Sequence, residues 1–92
     1  MYQLTVRYSG RVQGVGFRAT VSDLASYYSV TGEVSNVHDG TVNLRAEGEQ
    51  DELLRFRAAI LESLNRYIVN YSDDWAEIAA RSFSSFRIGS NQ

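Results

Sequence analysis

Apolar and polar residues alternate from the start of the chain: Tyr2, Leu4, Val6 and Tyr8 are interleaved with Gln3, Thr5, Arg7 and Ser9. A period of two predicts a strand with one buried face. A glycine-rich stretch follows, Gly10-Arg11-Val12-Gln13-Gly14-Val15-Gly16. Beyond it the period changes. Val21, Leu24, Ala25 and Tyr28 recur at helical spacing, which predicts an amphipathic helix over 18–30. Gly32 then frees the chain for a second strand through Val34, and Val42, Leu44 and Ala46 form a third.

Asp39-Gly40 marks a hairpin between those two strands. A two-residue loop would put Val34 and Asn36 on the face opposite Val42 and Leu44. A three-residue loop with Gly40 in the left-handed region puts all four on one face, as the apolar pattern requires, and is the expected geometry. Gly48-Glu49-Gln50-Asp51-Glu52 is an acidic entry to a second helix, where carboxylates favour the positive end of the dipole. Leu53, Phe56, Ile60 and Leu64 supply its stripe. Tyr67, Val69 and Tyr71 alternate again, and Phe86–Ile88 is a candidate short fifth strand. The stretch from Trp75 to Arg81 leans helical by composition but is short enough to complete a strand.

The order strand, helix, strand, strand, helix, strand predicts an α+β, ferredoxin-like sandwich. Its two helices pack on one face of an antiparallel sheet. Ninety-two residues without a linker or low-complexity segment are expected to form a single domain over 1–92, with 89–92 a frayed tail. No apolar run is long enough to span a bilayer, and Met1-Tyr2-Gln3-Leu4-Thr5 does not open a signal peptide. A cytoplasmic monomer without membrane partners is expected.

Absent residue types narrow the chemistry. There is no Cys, which excludes thiolate nucleophiles, disulfides and Cys-ligated metals. All nine basic residues are Arg, so neither a Schiff-base lysine nor a phosphate-loop lysine is available. The one His, His38, cannot build a multi-His metal site. A net charge of −2 argues against nucleic acid as a partner. Yet residues 1–22 carry Arg7, Arg11 and Arg18 and no acid, a local balance that suits a small anion.

Gly14-Val15-Gly16-Phe17-Arg18-Ala19 formally fits a dinucleotide fingerprint, but a chain this short, with a hairpin next in line, cannot supply the large parallel sheet that fold needs. The physics of the stretch remains. Glycines between a strand and a helix let successive N–H groups converge on an anion at a helix N-terminus. Arg18 is placed to close such a cradle with a bidentate contact. A plain glycine turn with a solvated Arg18 fits the spacing equally well.

The run from Gly10 to Arg18, followed by Gly32-Glu33-Val34-Ser35-Asn36 and Asp39-Gly40-Thr41-Val42, strongly resembles the two signatures of the acylphosphatase family. Phe83-Ser84-Ser85-Phe86-Arg87-Ile88 is similar to that family's last strand. The resemblance implies hydrolysis of the carboxyl–phosphate bond of small acyl phosphates, with no cofactor, no metal and no covalent intermediate. It implies that backbone N–H groups of Gln13, Gly14, Val15, Gly16, Phe17 and Arg18 hold the phosphoryl group. Arg18 would bind its oxygens and Asn36 would hold the attacking water. A non-catalytic phosphate-binding module on the same fold is the alternative, and an RNA-binding domain of this fold lacks its aromatic strand motif and basic surface.

Two positions depart from the family pattern, where many members have an aromatic residue at Glu33 and a hydroxyl residue at Val37. Arg11 is expected to support the field at most, and His38 to be an exposed hairpin residue. Asp73-Asp74 is expected in a solvated loop, and Tyr27, Tyr28 and Trp75 in the core and its rim.

Overall fold

A computed structural model describes residues 1–92. The elements are β1 (Tyr2–Gly10), α1 (Phe17–Ala25), β2 (Thr31–Asn36), β3 (Val42–Gly48), α2 (Gln50–Leu64), β4 (Ile68–Glu77) and β5 (Phe86–Ile88), with a 3₁₀ turn at Asn65–Tyr67 before β4. The sheet order is β4-β1-β3-β2-β5. The inward residues of the central strands, Leu4, Val6, Tyr8, Val42, Leu44 and Ala46, are all buried. They meet Val21 and Ala25 of α1 and Leu53, Phe56, Ile60 and Leu64 of α2 in one cluster. The ferredoxin-like architecture is the one the element order predicts.

The hairpin has the expected three-residue loop. Val34 lies opposite Leu44 and Asn36 opposite Val42, Val37 N–H donates to Thr41 O, and Gly40 has φ +95°. That positive φ suits glycine.

Three expectations are corrected and one open question is settled. Helix α1 ends at Ala25 rather than running to residue 30. Ser26, Tyr27 and Tyr28 instead donate to carbonyls three residues back, tightening the last turn so that Tyr28 still packs against Phe56. The sheet is mixed, because β5 lies parallel to β2 while all other pairs are antiparallel. The ambiguous 75–81 segment is strand up to Glu77, with Trp75 paired to Leu4, since nine ladder positions on β1 outweigh a weak helical propensity. Asp73 and Asp74 therefore sit within β4, and Asp73 forms an ion pair with Arg57 of α2.

The 89–92 segment does not fray either. Gly89 N–H donates to Val34 O (2.9 Å), Gln92 N–H to Asn36 O (2.7 Å) and His38 N–H to Gln92 O (2.7 Å). The outer edge of β2 would otherwise leave these backbone groups unpaired, and the tail satisfies them.

Candidate active site

Two positive-φ glycines shape the β1–α1 loop. Gly14 has φ +76° and Gly16 φ +80°, and Gly16 is the residue that caps α1 without any side-chain hydrogen bond. Left-handed backbone beside a helix start turns successive N–H groups to one side. No acceptor within the chain takes the N–H of any residue from Val12 to Ala19; the first donor is Thr20, which bonds Gly16 O at 3.0 Å. The first turn of α1 carries no acid, so nothing in the chain neutralises the positive end of its dipole.

These groups border a cavity of about 210 Å³ lined by Val12, Gly14, Gly16, Phe17, Arg18, Ala19, Asn36 and Ile88. Arg18 comes from the first turn of α1, Asn36 from the last residue of β2 and Ile88 from the end of β5. Arg18 is half-buried, and Nη1 donates to Asn91 Oδ1 at 3.3 Å. The carboxamide of Asn36 has its Oδ1 buried with no donor from the chain. A buried acceptor left bare costs about 1–3 kcal/mol, so this atom is set to take a donor from outside the protein.

The sequence singled out Arg18 and Asn36 separately, and the fold brings them to one cavity. Gly14, Gly16 and Phe17 line it as well. Phe17 is buried with its ring tilted against Tyr8, 5.2 Å between centroids, so it faces the site chiefly through its backbone. Val15 packs on the core instead.

Gln13 turns its side chain away from the cavity. Its Nε2 donates to Val37 O at 2.7 Å and Thr41 O at 2.9 Å, tying the loop to the β2–β3 hairpin. Because that contact uses backbone carbonyls, a valine at position 37 serves it as well as any residue.

Glu33 lies on the outer face of β2, between Arg45 and Arg87, and does not line the cavity. Arg11 and His38 are exposed and do not line it. Val12, Ala19 and Ile88 were not anticipated. Ile88 enters only because β5 pairs with β2, and no local pattern announces a partner so distant along the chain.

The sequence profile of the family named Acylphosphatase matches residues 4–88. An acylphosphatase of Salinibacter ruber is 41% identical over 87 residues, 94% of this chain and 90% of its own. One from Pseudothermotoga lettingae is 35% identical over 88 residues, covering 96% of this chain and 98% of its own. The crystal structure of acylphosphatase from Bacillus subtilis is similar at a TM-score of 0.79 and 29% identity, covering 100% of this chain and 99% of that one. An unfilled row of backbone donors at a helix start, an arginine beside it and relatives alike over nearly their whole length agree, and the chain belongs to the acylphosphatase family, enzymes that hydrolyse acyl phosphates.

Proposed function

We propose that this cavity binds the phosphoryl group of a small acyl phosphate in the N–H cradle of Gln13 to Arg18 and that a water held by Asn36 attacks it in line. The observation that supports this reading most is the juxtaposition of the unfilled Val12–Ala19 donors with Arg18 and the bare Asn36 Oδ1 around one cavity. The water oxygen forms a bond to phosphorus as the bond from phosphorus to the bridging oxygen breaks. The carboxylate leaves with that electron pair, and the water's proton passes to a phosphate oxygen. The products are a carboxylate and inorganic phosphate.

Each residue type suits its part. The guanidinium and the N–H groups meet negative charge with donors already in position, the largest contribution open to a phosphoryl-transfer site. Asn36 Oδ1 accepts from the water and so aims its lone pair. A carboxylate is a weakly basic leaving group, so no strong general acid is needed. No carboxylate, imidazole or thiolate lines the cavity, and in this mechanism the chain itself supplies the positive charge, with no metal taking part.

The test is hydrolysis of a chromophoric aromatic acyl phosphate at neutral pH with chelator present. Wild type is expected to turn over undiminished by the chelator. Arg18→Ala is expected to lose ~10²–10³ in rate, the usual effect of removing one preorganised donor. Asn36→Ala is expected to lose turnover while keeping phosphate binding. Wild-type rates in either variant would overturn the assignment, and a folded wild type without turnover would point to a phosphate-binding module.

A further inference from the structure

A second cavity of about 250 Å³ lies on the outer face of the sheet, lined by Arg45, Ser82, Phe83, Ser84, Ser85 and Arg87. None of these residues belongs to the site described above. Strand register builds it: Glu33 of β2 pairs laterally with Arg45 of β3 and with Arg87 of β5, so three outward side chains stand in a row across the sheet. The chain from β4 to β5 then folds over that row and lays Phe83 against both guanidinium groups, 5.2 Å from Arg45 and 5.4 Å from Arg87. Stacking on one ring holds the two forks in place and reduces the entropy lost when they engage an acceptor.

Those forks are exposed and form no hydrogen bond within the chain. The Glu33 carboxylate approaches Arg45 at 3.9 Å and Arg87 at 3.7 Å, too far for hydrogen bonds. Neither guanidinium group donates a hydrogen bond within the chain, and the N–H and hydroxyl groups of Ser84 and Ser85 donate none either. Charge favours an anion. The guanidinium groups of Arg45 and Arg87 share one carboxylate, Glu33, and the buried Glu47 is already held by donors of its own.

We propose that this cavity is a second binding site for a tetrahedral oxyanion, a phosphate group gripped by Arg45 and Arg87 and by the N–H and hydroxyl groups of Ser84 and Ser85. Two guanidinium forks and a pair of serines supply donors enough for its oxygens. Free inorganic phosphate and a phosphorylated side chain share this chemistry. The inference stands apart from the catalytic reading, because no residue is common to the two cavities.

The experiment is titration of the isotopically labelled chain with inorganic phosphate, read by amide NMR at ionic strength held constant with chloride so that screening does not change. Saturable shifts are expected at Phe83, Ser84 and Ser85, and they are expected to persist in Arg18→Ala. In the Arg45→Gln/Arg87→Gln double variant they are expected to vanish, with the wild-type urea midpoint retained. O-phosphoserine in a parallel titration separates the sources: tighter binding than inorganic phosphate marks a phosphorylated side chain, equal binding a free ion. Absence of saturation at Ser84 and Ser85 with both probes would overturn the proposal, as would shifts that survive in the folded double variant. If the double variant does not fold, Ser84→Pro, which removes one N–H and one hydroxyl, is expected to weaken binding at least tenfold; undiminished binding would again refute the site.

Discussion

Glu47 offers the sharpest test of how this fold is held together. It lies on β3, the middle strand of five, and is fully buried on the outer face. The chain between β4 and β5 must pass from one edge of the sheet to the other, and Glu47 pins it on the way. Oε1 accepts from Ser82 N–H (2.9 Å) and Phe83 N–H (3.0 Å), and Oε2 from Ser82 Oγ (2.7 Å) and Gln3 Nε2 (3.2 Å).

Glu47→Ala leaves two outcomes. If the crossing stays closed, two backbone N–H groups lose their acceptor at about 1–3 kcal/mol each. If it opens, Phe83 is exposed at a loss of about 1.5–3 kcal/mol. The cheaper route sets the cost, so a loss of about 1.5–3 kcal/mol is expected, with Glu47→Gln between it and wild type. Urea unfolding at neutral pH measures this, and hydrogen exchange at Ser82 and Phe83 shows which route is taken. A loss below about 0.5 kcal/mol, the level of an ordinary surface change, would refute the reasoning.

A pH dependence follows from the same group. Burial pushes the Glu47 carboxyl up, but the bonds from Ser82, Phe83 and Gln3 together outweigh it and hold the carboxyl below its ordinary value of 4.5. A carboxyl lowered on folding adds stability that is complete above the unfolded value and is lost as pH falls through the folded one. The gap between wild type and Glu47→Gln is therefore expected to be full at neutral pH and to narrow in acid below pH 4.5. A constant gap would show that the charge is not involved.

The other expectations concern backbone and core. Gly16→Ala meets no atom within 4 Å and pays only for a positive φ, about 1–2 kcal/mol by urea unfolding. Gly32→Ala would set a Cβ 1.9 Å from Arg45 O, so it is expected to cost more than Gly16→Ala and to break the β2–β3 ladder; equal costs would contradict this. Gln13→Ala frees two carbonyls of the hairpin and is expected to raise KM more than it lowers kcat, since the cradle loses its tether while Arg18 and Asn36 remain. Tyr8 has a buried hydroxyl without a partner, so Tyr8→Phe is expected to leave the urea midpoint unchanged or raise it; a marked loss would mean the hydroxyl is bonded.

Local pattern sufficed wherever one element carried its own signal. The alternation of β1 and the stripes of α1 and α2 determined their buried faces, because burial against a sheet demands those periods whatever the neighbours are. Gly40 and the apolar register determined the three-residue hairpin. The glycines before Arg18 made a left-handed loop with free N–H groups legible, and the two signatures singled out Arg18 and Asn36, which line one cavity.

Tertiary structure decided the rest. Composition over 75–81 leaned helical, and only the free edge of β1 made Trp75, Ala76 and Glu77 a strand. The tail reads in sequence as a frayed end past the last strand, yet the unpaired edge of β2 binds it. Glu47 reads in sequence as an alternating outward residue, but the crossing chain buries it. The meeting of Arg18 with Asn36, and of Arg45 with Arg87, depends on strand pairing between distant segments. Periodicity reports which face of an element is buried; which elements become neighbours is settled only when backbone groups and apolar faces far apart in the chain compete for partners.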